Sequence, residues 1–197
     1  MSEEVDQGRR RLLVAATALT GAAGAVLAAT PFLASWKPSA RAKALGAPIE
    51  VDISKLEAGA MLKVEWRGKP VWVVRRTPEM LKQIEAATPL LLDPNSDSSL
   101  QPAYAKNADR AAKPEYFVVL GVCTHLGCSP MAKFQAADVT VSADWPGGFY
   151  CPCHGSKFDL AGRVFKGVPA PSNLTVPPYT FLGEGRVLVG SDATQAA

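Results

Sequence analysis

The amino-acid sequence predicts a mostly β head carried on one N-terminal transmembrane helix. Three observations lead there. Residues 12–36 form an uncharged run of 25, directly behind Arg9-Arg10-Arg11. From residue 48 onward, short runs rich in β-branched and aromatic residues alternate with Gly- and Pro-containing turns, the pattern of antiparallel strands. All four cysteines and both histidines fall in two short boxes, Cys123-Thr-His125-Leu-Gly-Cys128 and Cys151-Pro-Cys153-His154-Gly-Ser156.

The first element is the apolar run. At about 1.5 Å per residue, about 20 helical residues cross a hydrocarbon core of about 30 Å. The run is rich in Ala, Gly and Thr, so the helix is only weakly hydrophobic. Arg9-Arg10 followed by Leu12-Leu13 resembles a twin-arginine export signal, which carries prefolded cofactor proteins out of the cytoplasm. The arginines mark the N-terminal side as cytoplasmic. Lys37, Arg41 and Lys43 follow on the exported side against that tendency, and a twin-arginine signal overrides it. The competing reading is a cleaved signal peptide, with Ala-x-Ala-like sites in residues 40–47. The length exceeds a usual signal-peptide core and argues for retention. Residues 1–36 are thus read as signal and anchor.

Residues 37–47 are small, polar and short, the composition of a flexible linker. Counted from Ser35, its 13 residues reach at most about 45 Å when fully extended. About 150 residues remain from residue 48, enough for one domain with its own core. Met61-Leu-Lys-Val-Glu-Trp66 and Pro70-Val-Trp-Val-Val-Arg75 flank Arg67-Gly68-Lys69 and predict a hairpin. Residues 78–87 are the one helical stretch of the head, with Thr77 as N-cap and Pro78 in the first helical position. The polar residues 93–113 read as a surface insertion without chemical role. Residues 116–122 lead into the first box, Gly148-Phe-Tyr150 into the second, and residues 181–189 predict a closing hairpin. A net charge of +3 with scattered Lys and Arg argues against nucleic-acid binding, which calls for a basic patch or stripe.

The boxes carry the chemistry. Each offers a thiol and an imidazole at a spacing expected of a turn, plus one further cysteine. Gly127 and Gly155 give each turn backbone freedom, and Pro130 and Pro152 stiffen it. Two cysteines with two histidines are the ligand set of a 2Fe-2S centre in which Cys₂ holds one iron and His₂ the other. Three rivals use the same residues. A structural zinc site needs the same ligand types but favours C-x₂₋₄-C and H-x₃₋₅-H pairs over interleaved ones. A disulfide framework allows three connectivities and leaves both histidines without a role. A Cys/His nucleophile does not account for the duplication.

The boxes resemble those of the Rieske iron–sulfur proteins, in the branch whose boxes carry two extra cysteines. Residues 51–76, Gln101-Pro-Ala-Tyr-Ala-Lys-Asn107, Lys113-Pro-Glu-Tyr116 and Gly167-Val-Pro-Ala-Pro171 extend the resemblance to the subunit of proteobacterial cytochrome bc1 complexes. It implies a Rieske-type antiparallel β-sandwich head over residues 48–197, with a cluster-binding subdomain at about 121–172. It implies one 2Fe-2S cluster held by Cys123, His125, Cys151 and His154, and a disulfide between Cys128 and Cys153. Closing a loop of that length stabilises a fold by about 3 kcal/mol.

The same resemblance implies roles and partners. His154 would contact ubiquinol, which yields an electron and a proton together. Ser156 would donate a hydrogen bond to a cluster sulfide, Leu126 would belong to an apolar docking tip, and Pro169 to a loop covering the cluster from a third side. Phe158 stands where relatives carry a tyrosine whose hydroxyl bonds the ligand cysteine, so the potential is expected below theirs. Residues 37–47 would be a hinge letting the head move between cytochrome b and a c-type cytochrome. The implied protein is a single-pass bacterial inner-membrane subunit with its head in the periplasm. It would serve in a dimeric, proton-translocating ubiquinol-cytochrome c reductase, inactive alone. The alternatives are the small Rieske subunit of a periplasmic molybdenum oxidase of the arsenite oxidase type, and a structural zinc module.

Overall fold

A computed structural model describes residues 6–192, in two compact units that divide near residue 44. The N-terminal unit is dominated by α1 (Gln7–Ser35). The Asp6 carboxylate caps it by accepting hydrogen bonds from the Gly8 and Arg9 amides. Its side chains are exposed along the whole length, and its best 18-residue stretch has a mean hydropathy of 2.0. From Leu12 onward the helix is uncharged and, among the described residues, unburied, which suits lipid. Thr17 and Thr30 satisfy their hydroxyls on carbonyls one turn back, at 2.9 and 2.7 Å, which removes the penalty of a bare hydroxyl in hydrocarbon. A second helix, α2 (Ala40–Gly46), occupies most of the linker.

The head is built from three three-stranded antiparallel sheets, as expected of a mostly β domain. The first orders β1 (Ile49–Asp52), β9 (Arg186–Val189) and β8 (Tyr179–Phe181). The second orders β2 (Met61–Trp66), β3 (Lys69–Arg75) and β4 (Tyr116–Leu120). The third orders β5 (Met131–Lys133), β6 (Gly148–Tyr150) and β7 (Lys157–Phe158). Val51, Val187, Val71, Val73, Phe117, Phe149 and Phe158 all belong to one buried cluster, so the three sheets share a core.

The predicted β2–β3 hairpin forms with a tighter turn than expected. Lys69 pairs with Trp66, leaving Arg67 and Gly68 alone in the turn at φ of 53° and 70°. Two left-handed residues match the right-handed twist of the flanking strands. The helix α3 (Pro78–Ala87) has the predicted boundaries: the Thr77 hydroxyl accepts from the Met80 amide at 3.2 Å. Met80, Ile84 and Ala87, spaced for one face, are buried.

Residues 93–113 correct the expectation of a surface insertion. Ser96, Ala105 and Arg110 in it are wholly buried. Arg110 joins Arg76 and Arg163 around the turn 159–163 that follows β7. Arg76 donates to the Leu160 carbonyl at 3.4 Å, Arg110 to those of Ala161 and Gly162 at 3.3 Å, and Arg163 pairs with Asp159 at 2.8 Å. Burial pulls the Arg76 and Arg110 guanidiniums down to about 10, still charged at neutral pH. Further acceptors lie outside the turn: Arg76 also donates to the Pro114 and Asp109 carbonyls, Arg110 to the Gln101 side chain and Arg163 to the Ile84 carbonyl, which offsets much of the cost of burying the guanidiniums.

Candidate metal centre

The first box is the loop that joins β4 of the second sheet to β5 of the third. β4 runs through Gly121 into it. A Cβ on Gly121 would lie 2.2 Å from the Trp72 ring, so only glycine lets the chain pass. Trp72 in turn stacks on Phe149 at 5.3 Å. The second box is the loop of the β6–β7 hairpin, whose register pairs Phe149 with Phe158 and Tyr150 with Lys157.

The loops repeat one hydrogen-bond pattern. The Cys123 amide donates to the Cys128 carbonyl at 2.7 Å, and the Gly127 amide to the Cys123 carbonyl at 3.0 Å. In the second, Cys151 donates to Ser156 at 2.8 Å and Gly155 to Cys151 at 2.9 Å. The two glycines take φ of 83° and 77°, a region an L-residue enters only at a cost. Cys128 and Cys153 are joined in a disulfide with Cα atoms 6.7 Å apart.

The remaining four polar side chains form two pairs, one of thiols and one of imidazoles. Cys123 and Cys151 are free and buried. The His125 and His154 rings meet edge to face with centroids 4.7 Å apart. His125 Nδ1 is buried without a hydrogen-bond partner. Burial pushes the Cys123 thiol up; the neighbouring Cys151 thiol adds to this, against hydrogen bonds from the His125 amide and the Ser156 hydroxyl. A buried ring nitrogen without a partner is costly to leave unpaired, and cation coordination would remove that cost. The Sγ atoms of Cys128, Cys151 and Cys153 also lie within 4.8 Å of one another. Two of those three are spent in the disulfide, so Cys123 and Cys151 with the two imidazoles are the donor set that fits.

The other predicted residues sit around this set. His154 and Cys153 are exposed, and Leu126 is 71% exposed. Ser156 and Phe158 are wholly buried. Pro169 is exposed, within a segment that touches both loops. The Ala170 amide donates to the Ser156 hydroxyl at 3.1 Å, and the Thr124 hydroxyl donates to the Ser172 carbonyl at 2.6 Å. Thr124, Ser172 and the residues that anchor them were not singled out from the sequence. A threonine beside a ligand cysteine gives no local sign of a partner 48 residues away.

Residues 49–179 match the family described as Rieske [2Fe-2S] domain, and residues 1–39 match "Ubiquitinol-cytochrome C reductase Fe-S subunit TAT signal". The chain is 55% identical to the ubiquinol-cytochrome c reductase iron-sulfur subunit of Allochromatium vinosum, over 99% of this chain and 94% of that one. It is 41% identical to the subunit of the same description from Blastochloris viridis, over 96% and 97%. A solved chain described as hyperthermophilic respiratory Complex III aligns at a TM-score of 0.47 with 26% identity, over 89% of this chain and 98% of that one.

Proposed function

This chain belongs to the family of Rieske iron–sulfur subunits of ubiquinol-cytochrome c reductase, and on that premise we propose that it takes an electron and a proton from ubiquinol and passes the electron to a c-type cytochrome. It serves as the membrane-anchored carrier of a bacterial cytochrome bc1 complex. The anchor is α1, the head stands in the periplasm, and cytochrome b supplies the rest of the quinol site within a dimeric complex.

One observation carries this reading: two buried free thiols and two imidazoles, one with an orphaned Nδ1, at the tips of two disulfide-joined loops. Cys123, His125, Cys151 and His154 would hold the cluster. A bound 2Fe-2S cluster of this ligand set supplies one-electron chemistry at about −150 to +300 mV, against about −400 mV for plant-type all-cysteine ferredoxins.

The chain's own residues do the rest. His154 is exposed, so its outer ring nitrogen can accept a hydrogen bond from the quinol and hold the proton that travels with the electron. Leu126, exposed at the first loop, offers the apolar surface that docks on partners. Ser156, buried against Cys123, donates to sulfur and favours the more negative reduced state. Residues 37–47 form the hinge. Unwinding α2, seven residues long, would lengthen the tether by about 14 Å.

An EPR-monitored redox titration of membranes carrying the full chain tests the proposal. The expected outcome is a rhombic 2Fe-2S signal that appears at positive potential. Zinc in place of iron would reduce the site to a structural module, and a signal only at strongly negative potential would rule out quinol oxidation.

A further inference from the structure

Segment 167–172, like the two box loops, has no helix or strand of its own. Gly167 has φ of 71° and Pro169 is exposed. What holds it is Asn173, which is 1% exposed. Its Oδ1 accepts from the Val164 amide at 2.8 Å, its Nδ2 donates to the Asp93 carbonyl at 2.9 Å and to the Ser96 hydroxyl at 3.0 Å, and its amide donates to the Ser99 hydroxyl at 3.2 Å. One side chain thus closes the base of the loop, joining residue 164 before it to residue 173 after it, and moors both to residues 93–99. That mooring is itself organised. The Asp93 carboxylate accepts from the Asp97 and Ser98 amides and from the Ser99 hydroxyl, at 2.8, 3.1 and 2.7 Å.

We propose that Asn173 is a positioning residue for the redox centre. By fixing the base of segment 167–172 it holds the Ala170 amide on the Ser156 hydroxyl and the Ser172 carbonyl on Thr124. The proposal rests on the Rieske reading of the site. Its chemistry is simple. A hydroxyl whose lone pair is occupied by the Ala170 N–H turns its own proton away from that donor, towards the side where Cys123 lies. Hydrogen bonds to sulfur set the potential of such a centre. Release the latch, and the Ser156 hydroxyl loses its fixed direction and donates to sulfur less of the time. The reduced state is then less favoured. Residues 93–99, which looked like inert polar surface, become the outer end of this chain of positioning contacts.

The test compares the full chain with Asn173→Ala and Ser99→Ala in membranes, by redox titration of the EPR signal and by amide hydrogen exchange of peptides covering residues 167–174. The expected result for Asn173→Ala is exchange about tenfold faster in that segment, the scale of losing buried hydrogen bonds, with a lower midpoint and shifted g-values. Ser99→Ala should move both readouts in the same direction by less, and it decides the question if Asn173→Ala does not fold. A midpoint that stays put or rises, with a signal like that of the unaltered chain, overturns the proposal even if thermal stability falls. An unaltered chain with no 2Fe-2S signal overturns the functional reading first and the proposal with it.

Discussion

The two box loops have the same backbone and different side-chain duties. Aligned on their hydrogen bonds, Cys123 matches Cys151, Gly127 matches Gly155, and Cys128 matches Ser156. At the sixth position the first loop therefore carries a disulfide sulfur and the second a buried hydroxyl. The histidine sits two residues after the cysteine in one loop and three after it in the other, so one imidazole is half-buried and its partner faces solvent. A repeated backbone makes two matching cradles, and the differences within it give the second loop both the exposed imidazole and the buried hydroxyl. Equivalence in the backbone predicts equal effects of some changes; difference in the side chains predicts unequal effects of others.

The largest effect tests the equivalence. Cys123→Ser and Cys151→Ser should each abolish the 2Fe-2S EPR signal in membranes. A signal that survives either substitution would mean the two loops do not contribute alike. Next is the covalent tie between them. Cys153→Ser, with Cys128→Ser to avoid a stray thiol, should lower stability by about 3 kcal/mol in the chain-entropy picture, read as a lower denaturation midpoint. An undiminished midpoint would mean that the sheet alone holds the loops together.

Smaller changes probe the difference. Phe158 is wholly buried and paired with Phe149 on the second loop's hairpin, and on the proposed reading a tyrosine there would donate to sulfur. Phe158→Tyr should raise the potential by roughly 20–60 mV, the equivalent of one hydrogen bond of about 0.5–1.5 kcal/mol for one electron. No rise would mean that this position does not tune the centre. The smallest expected effect concerns acid. Partial burial alone would raise the Asp93 carboxyl, but the Ser99 hydroxyl and the Asp97 and Ser98 amides outweigh it and hold it below its ordinary value. A depressed folded pKa contributes stability that is present above the unfolded value of about 3.9 and is lost as pH falls through the folded one. Asp93→Asn should therefore flatten the loss of stability below about pH 4, measured by thermal unfolding against pH. An unchanged acid limb would show that the residues 93–99 mooring is held by other groups.

The hairpin, the helix α3 and the spacing of the boxes were all legible from short stretches of sequence, because each rests on contacts within a few residues. Thr77 caps a helix three residues on, Arg67 and Gly68 turn a strand back on itself, and Gly127 and Gly155 close loops on cysteines four residues before them. The membrane helix was legible for the same reason, since lipid asks only for length and apolarity. The long-range polar contacts around the site were not. Asn173 finds Asp93 across 80 residues, and Arg76 finds the Leu160 carbonyl across 84. A polar side chain has many possible acceptors, and which one it meets depends on how the sheets pack. So the sequence by itself determined the candidate donor set, the two loops and the long apolar helix, through local spacing and composition. Only the tertiary structure decided that residues 93–99 hydrogen-bond Asn173 and that three arginines are buried around one turn, because burial and polar satisfaction are settled jointly across the whole core.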